Sequence, residues 1–254
     1  MLADSHAHLE MNDFDRDRNE VIRRAGDAGV DLIITVGTTL DDCRKAISIA
    51  NTFRNVYAAI GIHPHEAKDI DETTYDNIKM MAKMDKVVAF GEIGLDFFRN
   101  LSPRDVQIRR FEEQLELAGE IGLPIIIHDR DAHQETVKML EGWKGKHGGV
   151  IHCFSGDYSM AEKCLDMGFS ISITGAVTFG KSEKLHEVVR HVPVTRLLLE
   201  TDAPYLTPHP YRGKRNEPAY VVHTAKKVSE LKGMSLEELT SITYQNTKSV
   251  FGIK

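Results

Sequence analysis

The amino-acid sequence predicts an α/β fold in which eight parallel strands close into a (β/α)8 barrel, and three observations support this prediction. Short strand-like runs alternate strictly with segments of helical period, which is typical of parallel sheets. Several of these runs are almost continuously apolar, as buried parallel strands are. Eight runs over about 200 residues leave about 25 residues for each strand–helix unit, a normal spacing for a barrel. Eight units also fit a closed barrel better than an open sheet.

Each predicted element has a definite place in the chain. The eight predicted strands cover residues 2–6, 31–36, 56–62, 87–91, 125–128, 150–153, 170–174 and 196–200. The nine predicted helices cover residues 18–28, 40–51, 75–83, 104–121, 132–143, 160–167, 182–190, 220–231 and 236–251. Seven helices therefore alternate with the strands, and two more close the chain.

Residues that commonly begin or end helices support these boundaries. Ser102 stands directly before Pro103, which predicts Ser102 as the N-cap of the fourth helix and Pro103 as its first residue. Ser235, with a glutamate three residues later, has the spacing of a capping box. Gly122 and Gly168 occupy the position after a helix where a left-handed residue is common.

The composition is that of an ordinary globular protein. The chain has 254 residues, of which 41% are hydrophobic and 28% charged, and this excludes collagen-like, low-complexity and disulfide-scaffold proteins. No linker or repeat divides it, so we expect one domain over residues 1–254. The apolar runs are too short to span a membrane, and the acidic start of the chain is unlike a signal peptide. Three cysteines, which cannot all pair with one another, favour the reducing cytoplasm.

The charge balance restricts the substrates to be considered. Lys and Arg number 32 against 38 Asp and Glu, which gives a formal net charge of −6. Bulk charge therefore provides no affinity for nucleic acid, and a polyanion would need a local basic patch. The basic, proline-rich segment 205–218, after the last strand, is a candidate for such a patch. The chain has neither a dinucleotide-binding G-x-G-x-x-G nor a P-loop motif, which weakens both of those interpretations.

Residue types that bind metal ions stand at or near the carboxyl ends of six predicted strands. These residues are His6, His8, His63, His65, Glu92, His128, His152 and Asp202. In a barrel the carboxyl ends of the strands meet on one face, and that face holds the active site. Packing alone would not place metal-ligand types at so many separate strand ends, so the sequence predicts a metal site there.

The pair His6 and His8 gives the sharpest local signal. In an extended strand, residues two apart point to the same side, so both imidazoles can reach one ion. An isolated His-x-His is more often two ordinary histidines, and the metal interpretation depends on the other candidates. His128 and His152 each end an apolar strand, and the two strands are neighbours in the predicted barrel. They could therefore hold a second ion.

The candidate carboxylates have complementary properties. Glu92 is flanked by Gly91 and Gly94, which allow close backbone approach, and its two oxygens could bridge two cations. Asp202 follows an apolar strand, where a buried acid would be costly without a partner. It could bind a metal and orient, or accept a proton from, a metal-bound water. For Glu200 the sequence leaves two roles open, contact with ligands or substrate and hydrogen bonding inside the barrel.

Other residues near this face suggest how a substrate could be held. His63 is expected to contact substrate or water, and His65 to form structural hydrogen bonds. Each basic side chain alone is more often a solvated charge, but together they could seat phosphates. The basic residues concerned are Arg99, Arg130, Lys181, Arg212, Lys214 and Arg215. A serine or cysteine nucleophile is disfavoured, because no G-x-S-x-G motif occurs and Cys153 would point away from His152.

Six motifs together resemble the TatD-type metal-dependent hydrolases, a family of the amidohydrolase-like TIM-barrel superfamily. They are DSHAHLE (4–10), GIHPH (61–65), GEIGLDFFR (91–99), IIIHDRDAH (125–133), IHCFSG (151–156) and LLLETDAPYL (197–206). The resemblance runs in order over the whole chain and includes the basic loop PHPYRGKRNEP. It implies a single, distorted (β/α)8 TIM barrel with its metal site at the carboxyl ends of the strands.

The resemblance also implies a cofactor and residue roles. The residues it assigns to two divalent metal ions are His6, His8, Glu92, His128, His152 and Asp202. Within this set His6, His8 and Asp202 would hold one ion, His128 and His152 the other, and Glu92 would bridge them. The implied catalytic residues are Asp202, Glu92, His63 and Glu200. Four histidines suit Zn, Mn, Fe or Ni better than Mg, although the family's nuclease assays use Mg.

By the same resemblance, the implied activity is that of a deoxyribonuclease, a 3′→5′ exonuclease that hydrolyses phosphodiester bonds with a metal-bridging hydroxide. The substrate would be single-stranded DNA or DNA 3′ ends, with RNA as a further possibility, and no obligate protein partner or membrane is implied. The expected substrate-binding residues are His63, Arg99, Arg130, Tyr205, Arg212, Lys214 and Arg215. Tyr205, Tyr211 or Phe98 could stack on a terminal base, although local packing is favoured for Phe98.

Two alternatives remain open at this point. A binuclear-metal hydrolase could act on a small-molecule ester, amide or phosphoester, but a small neutral substrate would not need the basic residues 212–215. A metal-stabilised binding protein without turnover is the alternative of another class. The complete ligand set, with Asp202 present, weighs against it.

Overall fold

The computed structural model describes residues 1–143 and 148–254, and they form the predicted eight-stranded parallel barrel. Each strand pairs with the next in the sequence. The strands are β1 Leu2–Ala7, β2 Val30–Gly37, β3 Val56–Ile60, β4 Val87–Asp96, β5 Ile125–Arg130, β6 Gly149–Ile151, β7 Phe169–Ile173 and β8 Leu197–Leu199. Main-chain hydrogen bonds from Asp202 N to His6 O (2.9 Å) and from His8 N to Ala203 O (2.8 Å) join the end of the series to β1.

Nine α-helices are found in the described part of the chain. They are α1 Arg18–Asp27, α2 Leu40–Thr52, α3 Thr74–Met81, α4 Arg104–Ile121, α5 His133–Glu141, α6 Tyr158–Asp166, α7 Glu183–His191, α8 Val221–Lys232 and α9 Leu236–Val250. All predicted strands and helices are therefore confirmed, with bounds shifted by a few residues. None of the helices within 1–143 and 148–254 has the length and apolar run needed to span a bilayer. One domain over 1–254 stays a prediction.

Two of the predicted strand ends were wrong in a way that matters for the site. β4 continues to Asp96 and β5 to Arg130, so Glu92 lies inside its strand rather than after it, and His128 lies inside its strand rather than at its end. The longer strands pair in register, with Gly94 opposite His128. The sequence does not predict these longer strands, because the prediction relies on apolar runs and the added ends of β4 and β5 contain polar residues.

The predicted start of α4 was also wrong. Pro103 has φ −54° and ψ 144°, outside the helical region, so the helix begins only at Arg104 and Ser102 does not cap it. The Ser102 hydroxyl instead donates to His65 O (2.7 Å) and accepts from Lys68 N (3.1 Å). It therefore fixes the segment that follows β3.

The other three helix-end predictions were confirmed. Ser235 Oγ accepts a hydrogen bond from Glu238 N (3.1 Å) at the start of α9. Gly122 (φ 76°) and Gly168 (φ 93°) are left-handed after α4 and α6, where other residues would be strained.

The inside of the barrel has two layers. The layer near the amino ends of the strands is apolar and includes Leu32, Ile34, Ile126, Val150 and Leu198, with Phe251 after α9 packed against it. The layer above it, toward the carboxyl ends, carries ionisable side chains. A second apolar cluster fills the space between the strands and the surrounding helices. The barrel is therefore solid at one end and chemically polar at the other.

Candidate metal centre

The structure brings together all the residues expected to bind metal ions. They are His6 on β1, Glu92 on β4, His128 on β5, and His8, His152 and Asp202 just after their strands. Their side chains are between 0% and 15% exposed. The site therefore lies at the carboxyl-terminal mouth of the barrel, largely shielded from water.

Four ligand atoms form the first of two groups. His6 Nε2 and His8 Nε2 are 3.2 Å apart. Glu92 Oε2 lies 3.4 and 3.8 Å from these two nitrogens, and Asp202 Oδ1 lies 3.8 and 3.4 Å from them. Ligand atoms about 2.1 Å from a tetrahedral ion stand about 3.4 Å from one another. The spacing of this group therefore fits a single ion.

The second group surrounds the other oxygen of Glu92. Its Oε1 atom lies 2.5 Å from His128 Nδ1 and 2.7 Å from His152 Nε2, with His63 Nε2 at 3.6 Å. His128 Nδ1 is 3.4 Å from both His63 Nε2 and His152 Nε2. The two oxygens of Glu92 thus face two different sets of nitrogen atoms, as a bridging carboxylate would.

The glycines near Glu92 explain how β4 can place the Glu92 side chain between the two groups of nitrogen atoms. A Cβ on Gly91 would lie 2.5 Å from Ile126 O, and one on Gly94 would overlap the carbonyl of His128. The main chain of β4 can lie this close to β5 only because both residues are glycines. The close approach predicted from the sequence is therefore present.

The carboxylates of the site are anionic at neutral pH. Burial would raise the pKa of Glu92, but His152 and His128 hold it well below its ordinary value. Burial likewise opposes ionisation of Asp202, yet the bond with His8 leaves its pKa lowered. Negative oxygens and imidazole nitrogens are the donors that divalent transition metals prefer.

Glu10, which sequence reasoning missed, lies behind His8. His8 Nδ1 is 2.8 Å from Val36 O and 3.2 Å from Glu10 Oε1, while Glu10 Oε2 accepts from the Thr35 hydroxyl (2.8 Å). When an ion is bound, a proton held on Nδ1 would leave Nε2 as the lone-pair donor toward the first group. Glu10 lies in the turn after β1, where the same-side spacing of a strand does not apply, so no local pattern identified it.

Asp96, also missed, stands behind His128. The buried Oδ2 accepts from His65 Nε2 (2.8 Å) and lies 3.3 Å from His128 Nε2, and Oδ1 accepts from Arg99 N (2.7 Å). Although burial would raise it, these hydrogen bonds keep the pKa of Asp96 well below its ordinary value. Asp96 therefore orients the His128 ring so that Nδ1 faces Glu92. His65 has the structural contact expected of it.

Glu200 stands behind His152, inside the barrel. Its oxygens accept from Cys153 N (2.5 Å) and Ser172 Oγ (2.7 Å), and Oε1 lies 3.4 Å from His152 Nδ1. This arrangement favours hydrogen bonding inside the barrel over contact with substrate. A catalytic role for Glu200 stays a prediction.

His63 is positioned as a neutral donor beside the second group. Its Nδ1 accepts a hydrogen bond from His65 N (3.0 Å), which leaves the proton on Nε2. Burial lowers the pKa of His63 well below its ordinary value, so the ring is uncharged at neutral pH.

Asp4, a further residue missed from the sequence, anchors the segment that carries Asp202. It accepts from Thr201 N (2.9 Å) and from the Thr201 hydroxyl (2.6 Å). Complete burial raises the pKa of Asp4 to about 8. Asp4 precedes His6 by two residues, so the same-side rule could have found it as well.

The predicted substrate-binding side chains divide into two kinds. Arg99, Arg130, Arg212 and Lys214 are exposed, and no carboxylate of the described residues lies within ion-pair distance of them. Arg215, by contrast, donates to both oxygens of Asp17 (2.8 and 2.7 Å). The Arg215 guanidinium is thus engaged by the protein itself.

The aromatic candidates differ in the same way. Tyr205 is 52% exposed, and its ring centre is 6.4 Å from that of His8, beside the first group. Tyr211 instead stacks on Tyr220, with ring centres 4.4 Å apart. Tyr205 is therefore free to meet a substrate, whereas Tyr211 is used in local packing. Phe98 is 58% exposed, and the Arg130 guanidinium carbon lies 4.1 Å from the centre of its ring.

Comparison with known proteins gives a consistent result over the whole chain. The family model described as TatD related DNase matches residues 3–252. The chain is 46% identical to the uncharacterized metal-dependent hydrolase YabD of Bacillus subtilis, over 100% of both chains. It is 37% identical to the 3′-5′ ssDNA/RNA exonuclease TatD of Erwinia amylovora, over 99% of this chain and 100% of that one. The crystal structure of YJJV, a TatD homolog from Escherichia coli K12, is 30% identical with a TM-score of 0.95, covering 100% of this chain and 98% of that one.

Proposed function

This chain belongs to the TatD-related DNase family, and from that premise we propose that it is a metal-dependent 3′→5′ exonuclease on single-stranded DNA, with RNA as a further substrate. A hydrolase that acts on phosphodiester bonds agrees with the names of its relatives. The observation that carries the proposal is the position of Glu92, whose two oxygens face two separate groups of ligand atoms.

We propose two divalent ions, one on each side of Glu92. The residues that would hold them are His6, His8 and Asp202 on one side and His128 and His152 on the other. When bound, such ions lower the pKa of an attacking water and neutralise the charge that develops on the phosphate. The histidine-rich donor set favours Mn, Fe, Ni or Zn over Mg.

Asp202 is the residue assigned to the proton of the attacking water. Its Oδ1 faces His6 and His8, which leaves Oδ2 for the water at the mouth. The lowered pKa keeps this carboxylate ionised and able to accept a proton. His63 carries its proton on Nε2, at the edge of the second group, and from there donates a hydrogen bond to a phosphate oxygen of the substrate.

The exposed cations that have no carboxylate partner among the described residues hold the rest of the nucleic-acid strand. Arg99, Arg130, Arg212 and Lys214 are available for phosphates on a protein whose net charge is negative. Tyr205 offers a stacking surface for a terminal base, a contact that tolerates any sequence. Arg215 contributes less, because Asp17 already neutralises it.

The compartment and partners complete the proposal. The cytoplasm remains the predicted location, and the three free cysteines of the described chain support a reducing compartment. The nucleic acid is the only binding partner that we propose.

Hydrolysis of a 5′-labelled single-stranded DNA oligonucleotide tests the proposed activity. The protein is first stripped with EDTA and then supplied with Mg²⁺, Mn²⁺ or Zn²⁺, with Glu92→Ala as the matched control. We expect a metal-dependent ladder that shortens from the 3′ end and is absent for the variant. An oligonucleotide left intact under every metal would reject the exonuclease and redirect attention to small esters, amides or phosphoesters.

A further inference from the structure

An arginine and an exposed phenylalanine form a stacked pair at the rim of the mouth. The guanidinium carbon of Arg130 lies 4.1 Å from the centre of the Phe98 ring. Phe98 nevertheless remains 58% exposed, so much of its apolar surface faces solvent. A guanidinium that lies over the face of an aromatic ring can still donate hydrogen bonds through its N–H edge.

The strands place this pair next to the second group of metal-binding atoms. Arg130 follows His128 by two residues on β5, so it points to the same side about 7 Å further along the strand. Phe98 follows Asp96 by two residues, and the Asp96 carboxylate lies 3.3 Å from His128 Nε2. The pair thus lies beyond the second group, further along the carboxyl-terminal direction of β4 and β5.

Arg130 differs in its charge environment from seven of the other fourteen arginines. Seven arginines have a carboxylate within ion-pair distance, namely Arg18, Arg23, Arg24, Arg44, Arg109, Arg110 and Arg215. For Arg130, residues 1–143 and 148–254 supply none. Its N–H edge therefore remains available for an external anion such as phosphate.

We propose that Phe98 and Arg130 form a nucleotide subsite beside the scissile linkage, a proposal that rests on the proposed function. The guanidinium edge holds one phosphate, and the neighbouring base stacks on the exposed surface of the phenyl ring. A base can stack there only when it is unpaired, so the subsite selects single strands over duplex. Tyr205 follows β8, four strands from β4 around the barrel, and would contact a different nucleotide.

Abasic substrates provide the test of base stacking. A single abasic site is moved through the last four nucleotides of an oligonucleotide, and kcat and KM are measured for the wild type and Phe98→Leu. At one position we expect base removal to raise the KM of the wild type by about fivefold to a hundredfold. Phe98→Leu should raise KM on the intact oligonucleotide by a similar factor, and the two changes together should add nothing further.

Matched variants separate stacking from general damage. Phe98→Tyr keeps an aromatic ring and should restore the wild-type KM. Leu101→Ala removes another exposed apolar side chain, 53% exposed in the same loop, and should leave KM and kcat unchanged. Arg130→Gln should make KM less dependent on salt concentration. The decrease in the slope of log KM against log salt concentration should correspond to the loss of about one phosphate contact.

The outcomes distinguish the subsite from the exonuclease activity itself. If the wild type degrades DNA but no abasic position responds to Phe98→Leu, or if the two effects simply add, the subsite is wrong and the exonuclease stands. If the wild type degrades no oligonucleotide, both proposals fail together.

Discussion

The two layers inside the barrel are built on the same strands but have opposite chemistry. On β5, apolar Ile126 lies two residues below His128. Val150 lies below His152 in the same way, and buried Leu198 lies below Glu200. Because residues two apart on a strand share a side, each of these three ionisable groups stands above an apolar one, whereas on β1 His6 stands above Asp4.

Because of this difference, the lower layer contributes mainly to the stability of the fold, and the upper layer contributes mainly to metal binding and catalysis. The lower layer gains free energy by removing apolar surface from water. The upper layer buries imidazoles and carboxylates, which costs free energy unless every charge has a partner. Substitutions below should therefore change mainly stability, and substitutions above should change mainly metal binding and turnover.

The largest expected effect comes from the upper layer. Asp202→Asn removes the proton acceptor while keeping the size of the side chain, and it should lower turnover by about a hundredfold to ten-thousandfold. The free energy of unfolding should stay close to that of the wild type. Near-normal turnover of the purified, metal-loaded variant would falsify the role given to Asp202.

The lower layer should respond in the opposite way. Phe251 is 3% exposed and packs against the apolar layer, so Phe251→Ala should lower the free energy of unfolding by about 3–5 kcal/mol. Guanidinium unfolding measures this loss, and Met84→Ala, at a position 47% exposed, is the control for a harmless truncation. Turnover per folded molecule at 25 °C should change less than twofold. A large loss of turnover without a loss of stability would contradict the separation of the layers.

A smaller effect is expected from the carboxylates behind the ligands. Asp96→Asn loses the anionic acceptor for His128 Nε2 and should weaken the binding of one ion by about tenfold to a hundredfold. Metal titration of the stripped protein gives the affinity and the number of ions. Asp129→Asn is the matched control, because Asp129 is buried on β5 but pairs with His133 (2.6 Å). Equal metal affinity in the two variants would reject the proposal that Asp96 orients His128 for metal binding.

The smallest effect lies outside both layers, between α3 and α4. Burial would raise the pKa of Glu113, but hydrogen bonds from Tyr75 and Arg110 leave it lowered. A lowered pKa in the folded state means stability that is present above the unfolded pKa and lost as the pH falls through the folded one. Glu113→Gln should cost under about 1 kcal/mol at neutral pH and lose less stability on acidification below about pH 4.5. Urea unfolding across this range checks it, and identical pH profiles for both proteins would reject the linkage.

The parts of the fold that follow local rules could be predicted from the sequence. Apolar runs and helical periods located the strands and helices, and Gly122 ended α4 as its conformational freedom suggested. Polar residues hid the ends of β4 and β5, because Glu92 and His128 interrupt the apolar pattern that marks a strand. The prediction that Ser102 caps α4 was wrong because a hydroxyl can either cap a helix or donate to a distant carbonyl. Only the folded chain brings His65 O close to Ser102.

The sequence predicts the candidate site about as completely as it predicts the fold. Metal-ligand types at strand ends predicted the six candidate ligands, which the structure places together, but not the residues behind them. Glu10 and Asp96 act through ring nitrogens whose direction depends on the pairing of strands distant in sequence. The pairing of Arg215 with Asp17 joins residues 198 positions apart, which no local pattern reveals.

The central claim is that Glu92 joins two ion sites in the upper layer. A crystal soaked in Mn²⁺ and measured for anomalous scattering tests it most directly. We predict two peaks on opposite sides of the Glu92 carboxylate, one against His6 and His8 and the other against His128 and His152. A single peak, or peaks away from Glu92, would contradict the account.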